Sequence, residues 1–203
     1  MEKDNKFDLN IVWKNSSKKY NLKKRDYILW SQRHNKIFSV FSNLSIKNGE
    51  YYLNVYCEFK PMWADDIFWK ITDPKSLFDF PKESTSFRVI GANVAPMKKI
   101  YINQVKLSSL NIEETQNKFD NEIERILEII DLINEKNYVT ENEVSVINIL
   151  NAINNKEYNK ARKLLKKISS PFQIITGNLK KDGADINLWT FKLQARKFLR
   201  FKK

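Results

Sequence analysis

Histidine and cysteine are nearly missing: the 203-residue chain holds one of each. A lone thiol excludes a disulfide framework and points to a reducing compartment. One cysteine and one histidine also leave too few soft ligands for a structural zinc site, and neither a metal nor a cofactor is expected. Glycine occurs only four times, which excludes a glycine-rich phosphate cradle. No apolar run approaches the roughly 18 residues that a membrane-spanning helix needs. The first ten residues carry Glu2, Asp4 and Asp8 and lack the apolar stretch of a signal peptide. These absences together point to a soluble, cytoplasmic protein.

What is present is apolar bulk and positive charge. Apolar residues make up 42% and aromatics 13%, enough for a packed core. The 36 lysines and arginines exceed the 24 acids, for a net charge of +12. Residues 1–110 hold 19 basic and 11 acidic groups, residues 111–168 hold 9 and 11, and residues 169–203 hold 8 and 2. The positive field therefore comes from both ends of the chain. Such a field attracts polyanions and speeds encounter, and says nothing about fold. Heavy use of lysine, asparagine and isoleucine is also what AT-rich coding favours, so part of the excess is discounted.

Phe7, Leu9, Ile11 and Trp13 alternate with mostly polar neighbours and predict a strand. Residues 37–46 and 51–59 are β-prone runs around Asn48-Gly49, a dipeptide suited to a type I′ hairpin turn. Alternation groups Phe38, Val40, Leu44 and Ile46 on one strand, and Tyr51, Leu53, Val55, Cys57 and Phe59 on the other. Pro61 introduces a short helix over about 62–72. There Trp63, Ala64, Ile67, Phe68 and Ile71 share a face, with Asp65, Asp66 and Lys70 opposite. Residues 73–86 read as a loop, and 87–95 and 98–105 as two more strands.

From Asn111 the period becomes helical. Asn111 with Glu114 fits an N-cap and its N3 acceptor, and Phe119, Ile123, Ile126, Leu127, Ile130 and Ile133 form a stripe to about residue 135. Thr140 with Glu143 repeats the pattern and predicts a second helix through about 153, and Asn155 opens a third over 156–168. Residues 172–176 suggest a strand. The segment 186–200 reads as a strand through Leu193 or as a basic amphipathic helix, the strand being preferred. The expected class is α+β: an antiparallel sheet with one short helix, then a three-helix segment and a C-terminal strand or helix. The parts are a β-rich 1–110, a helical 111–170 and a basic tail 171–203 that packs on the same domain. No Gly-, Ser- or Pro-rich linker separates them, so 1–203 also reads as one domain.

Three basic clusters are the candidate anion-binding residues. The first contains Lys18, Lys19, Lys23, Lys24 and Arg25, within a stretch 14–25 that has no acid. The third predicted helix presents Lys160, Lys163 and Lys167 opposite Tyr158, Ala161, Leu164 and Leu165. The terminus interleaves Arg196, Lys197 and Arg200 with Phe198, Leu199 and Phe201. Cations in register neutralise phosphates, and aromatics among cations suit base stacking or an anionic membrane surface. A lysine-rich solvated face is the commoner meaning of such a pattern. The spacing Lys156-Glu157-Tyr158-x-x-Ala161 resembles the second half of a tetratricopeptide repeat. It spans less than one repeat with no second copy, so that family's peptide binding is not carried over.

Catalytic signals are sparse. Glu58-Phe59-Lys60 has the E-x-K spacing of metal-dependent nucleases of the PD-(D/E)xK kind, in which the carboxylate holds a divalent cation and the lysine steadies the phosphate or its water. The nearest upstream carboxylate before the hairpin is Asp26. His34 has no nucleophile assignable to it, so triad hydrolysis is unsupported. Trp69 falls among polar residues of its helix and is a candidate partner surface. The expected function is non-enzymatic binding of nucleic acid or an acidic partner through a basic surface, as a small bacterial or mobile-element protein would do. An interaction or immunity-type module with incidental charge is the alternative, and a nuclease using Glu58 and Lys60 the second. A homo-oligomer is left open.

Overall fold

The computed structural model describes residues 7–72, 95–139, 145–168 and 191–202. The fold is α+β, and its contacts divide into two compact units: Met1–Phe59 with Met97–Ile133, and Lys60–Pro96 with Asn134–Lys203.

The first unit is built on a five-stranded antiparallel sheet in the order β1-β2-β3-β4-β5. Its strands are β1 (Lys23–Arg25), β2 (Ile28–Arg33), β3 (Lys36–Lys47), β4 (Glu50–Pro61) and β5 (Lys98–Leu107). The predicted hairpin is present, with Asn48 at φ 52° and Gly49 at φ 78°, as a two-residue primed turn demands. Asp26 and His34 adopt the same left-handed φ, 51° and 53°, in the β1–β2 and β2–β3 connections. Leu53, Val55, Cys57 and Phe59 are buried as expected, whereas Ile46 is 65% exposed. The cause is register: the β2–β3 pairing runs only as far as Ile28↔Phe41, so the distal half of β3 extends past its neighbour.

The chain begins this unit with α1 (Leu9–Lys19), which corrects the strand expected at 7–13. The alternation there is only a few residues long. Asp8 caps the helix by accepting from the Asn10 N–H, and Lys18 and Lys19 sit favourably in its last turn. Val12, Trp13 and Ser16 face inward at helical spacing. The predicted long helix is α3 (Ile112–Leu132), capped by Asn111 accepting from the Glu114 N–H. It ends three residues earlier than the expected 135. Phe119, Ile123, Ile126 and Ile130 are fully buried, each contributing on the order of 1.5–3 kcal/mol.

The helix is also held by polar groups. The buried Glu122 carboxylate accepts from Tyr101 and Asn103 of β5 and from Arg125. Asp120 accepts from the Ser16 hydroxyl at 2.6 Å and from Lys19 at 2.9 Å, tying α1 to α3. At the helix C-terminus the buried Lys36 ammonium donates to the carbonyls of Ile130 (2.8 Å) and Ile133 (2.6 Å), a cation where the dipole is negative.

The second unit is helical. Helix α2 (Met62–Thr72) matches its predicted span. It is followed, beyond a 3₁₀ turn at Glu135–Tyr138, by α4 (Val146–Asn154), α5 (Tyr158–Lys167) and α6 (Phe191–Arg200). Helix α2 packs on α4 and α6, and α5 packs on both α4 and α6. Phe68 and Phe191 stack with centroids 5.6 Å apart. Asp65, expected on the solvent side of α2, is fully buried. Its carboxylate accepts from the equally buried Lys60 ammonium at 2.7 Å and from the Ala95 N–H at 2.8 Å. Lys60 also donates to the Ala95 carbonyl. Burial, with the Asp65 charge nearby, pushes the Tyr138 phenol well above its ordinary range.

Of the strand preferred from 186 through Leu193, residues 186–190 lie outside the described residues, and it is overturned at 191–193, which belong to helix α6. Phe191, Ala195 and Leu199 are its buried residues and recur every fourth position, while Leu193 is 51% exposed. Asn155 closes α4 instead of opening the next helix. The described start of α4 is capped by Ser145; Thr140 and Glu143 lie outside the described residues, as do the expected loop 73–86, the strand 87–95 apart from Ala95, and the strand 172–176. Among the described residues no helix is long and apolar enough to cross a membrane.

Candidate functional site

Helices α5 and α6 carry nine basic side chains between them. Each buries a narrow apolar stripe: Ala161 and Leu165 on α5, and Phe191, Ala195 and Leu199 on α6. Three hydrogen bonds from two side chains set their direction. Arg162 near the start of α5 donates to the Leu199 and Lys202 carbonyls at the end of α6. Lys192 at the start of α6 donates to the Ile168 carbonyl just past the end of α5, at 2.6 Å. The helices are therefore antiparallel, and Arg162 and Lys192 mark the side of each that faces the other.

Helical geometry then sorts the cations. Moving outward from Arg162, Lys166 lies about 40° and Lys163 about 100° around α5. From Lys192, Arg196 lies about 40° and Arg200 about 80° around α6. Lys163, Lys166, Arg196 and Arg200 are all exposed and lie within about 100° of the seam markers. Lys160, Lys167 and Lys197 are exposed too, but about 140–160° from the seam markers, on the outer arcs. Across 155–168 and 191–202 there are eleven basic side chains and a single carboxylate, Glu157, which pairs with Lys160 at 2.9 Å. Ala161, Leu165, Phe191, Ala195 and Leu199 turn inward, and within these two stretches Glu157 is the one carboxylate set against the cations.

In the first unit the basic stretch is partly committed to structure. Lys19 is held by Asp120, and its ammonium is pushed well above its ordinary range by hydrogen bonds with Tyr20 and Asp120. Lys23 lies 4.8 Å over the Trp30 ring and Lys24 5.9 Å over that of Trp13. Lys18 and Arg25 are exposed. Sequence reasoning missed a groove of about 390 Å³ in this unit, lined by Leu9, Trp13, Tyr27, Phe41, Asn43 and Tyr56 among others. Its residues come from four segments distant in sequence, so no local motif announces it.

The nuclease residues do not assemble. Lys60 is fully buried against Asp65 and is not presented to a phosphate. Glu58 is half-buried, opposite Lys99 in the β4–β5 pairing, and burial raises its carboxyl above the usual range. Asp26 sits in the β1–β2 turn, with β2 and β3 separating that edge from β4. No group of three His, Cys, Asp or Glu side chains able to hold a metal occurs among the described residues. Cys57 is buried and its thiol is pushed up by burial, which makes it a poor nucleophile. His34 is exposed in a turn. Trp69, the candidate partner surface, is half-buried on α2. No protein family, curated protein or solved structure matches the chain.

Proposed function

We propose that the chain is a non-enzymatic nucleic-acid-binding protein that uses the antiparallel pair α5 and α6 as its phosphate-facing surface. One observation carries the reading: eleven cations against one carboxylate over 155–168 and 191–202, the stretches that hold α5 and α6, with Ala161, Leu165, Phe191, Ala195 and Leu199 turned to the core. Lys163, Lys166, Arg196 and Arg200 would lie along the backbone, neutralising successive phosphates without reading bases. The reading puts the chain in the cytoplasm, where the buried thiol of Cys57 suits a reducing compartment.

The test is fluorescence anisotropy with a labelled oligonucleotide over a salt series. Affinity should fall steeply with salt, the logarithm of the binding constant changing linearly with that of salt. The triple variant Lys163→Gln, Arg196→Gln, Arg200→Gln should flatten that slope by about two, since each phosphate contact contributes roughly 0.7–0.9. Absence of binding at low salt, or an unaltered slope in a folded triple variant, overturns the proposal.

A further inference from the structure

The groove of the first unit is walled mainly by rings. Trp13 comes from α1, Tyr27 from the β1–β2 turn, Phe41 from β3 and Tyr56 from β4, with Leu9 and Leu44 filling between them. Its lining residue Phe41 pairs with Ile28, the first residue of β2, and its volume of about 390 Å³ is in the range of small-ligand sites, about 300–1,000 Å³. Tyr27 is 60% exposed, a large aromatic surface left in water at the mouth.

Two features say what would fill it. Cations stand against two of the lining rings: Lys24 is 5.9 Å from the Trp13 centroid and Lys99 is 5.5 Å from that of Tyr56. An occupant that combines a flat apolar ring with negative charge is thus matched on both counts. The Trp13, Ser42, Asn43 and Tyr56 polar groups of the groove, in contrast, already have internal partners. The Trp13 indole N–H donates to Ser42 at 2.7 Å. The Asn43 amide donates to Tyr56 and accepts from Asn54 at 2.7 Å. With those groups committed, the groove offers ring faces and charge more than hydrogen bonds to a base edge.

We infer that this groove takes up an unpaired base of single-stranded nucleic acid, with its flanking phosphates drawn to Lys24 and Lys99. This rests on the reading of the chain as a nucleic-acid-binding protein and adds the substrate class. A duplex keeps its base faces stacked and cannot fill the site, whereas an unpaired base can stack on aromatic side chains. Because stacking needs only a π-face, the preference is for single strands irrespective of sequence.

The experiment compares oligo(dT) of about ten nucleotides, within common single-strand site sizes, with an abasic strand of equal length and charge. The unaltered chain and Tyr27→Ala are both titrated, and circular dichroism confirms that the variant folds. The expected result is tighter binding of oligo(dT), and a loss of about fivefold or more in Tyr27→Ala for that strand alone. A 5-iodouracil photocrosslink should map to Trp13, Tyr27, Phe41 or Tyr56. Equal affinity for both strands overturns the inference and leaves the polyanion reading standing, and so does a preference that Tyr27→Ala leaves intact with crosslinks elsewhere. Failure to bind either strand overturns both.

Discussion

At the scale of single residues, the buried charges are the most consequential groups in the molecule. Lys60 and Asp65 are both fully buried and meet at 2.7 Å, and Asp65 also receives the Ala95 N–H while Lys60 donates to the Ala95 carbonyl. The pair thus joins the end of β4, the first turn of α2 and the chain at Ala95. A buried ion pair adds little over well-packed apolar side chains, because desolvation offsets most of the Coulombic attraction. Removing one partner is a different matter, since the other charge is stranded in the interior. Lys60→Met should therefore cost about 3–5 kcal/mol of stability. The double variant Lys60→Met, Asp65→Leu should recover most of that loss, less the bonds to Ala95. Urea unfolding of the two variants and their parent checks this; equal losses in both would mean that packing, not charge, governs the site. The E-x-K spacing that suggests catalysis is accounted for by this arrangement, with Lys60 serving the interior.

At the scale of elements, the hinge between α4 and α5 stores a local conflict. Asn155 closes α4, and the next residue, Lys156, is held at φ +60°. Its N–H bonds the Ile153 carbonyl and that of Glu157 bonds Ala152, the paired bonds of a Schellman motif, whose left-handed position favours glycine. A side chain there costs roughly 1–2 kcal/mol, and glycine gives back part of the relief as unfolded-state entropy. Lys156→Gly should thus raise stability by about 0.5–1 kcal/mol, seen as a higher thermal midpoint; a lower one would show that the lysine side chain is itself a stabilising contact. The same balance between local signal and context explains which elements are legible in the sequence. The β3–β4 hairpin, α2, β5 and α3 are readable because each carries a full period or an unambiguous turn or cap. Helix α1 escapes because the alternation at 7–13 is too short to outweigh the Asp8 cap, and α6 because Phe191, Ala195 and Leu199 all fit period 2 as well as a helix, and only the exposure of Leu193 between them separates the two. The burial of Asp65 is hidden because its partner lies on the preceding strand. Of the candidate site, the cations are visible and their sorting is not, since that depends on where Arg162 and Lys192 reach across to a neighbouring helix.

For the whole molecule the governing quantity is a net charge of +12, and ionic strength acts on it in two opposed ways. Salt weakens the surface ion pairs, among them Arg33–Asp131 at 2.7 Å and Lys160–Glu157 at 2.9 Å. Exposed pairs of this kind are worth about 0–1 kcal/mol each, so little is lost. Salt also screens the mutual repulsion of the surplus cations, which destabilises a compact state far from neutrality. Repulsion outweighs pairing where charge is least balanced, and residues 191–202 contain no acid at all. The thermal midpoint should therefore rise between about 10 mM and 150 mM salt, as the screening length shrinks from about 30 Å to 8 Å. The triple variant Lys163→Gln, Arg196→Gln, Arg200→Gln should begin higher at low salt and rise less. These substitutions then have opposite effects on binding and stability, weakening nucleic-acid affinity while strengthening the fold, which is the trade-off expected of groups held in place for function. A calorimetric salt series on both proteins measures it. A triple variant less stable than its parent at low salt would mark these three cations as structural and remove them from the phosphate-facing surface.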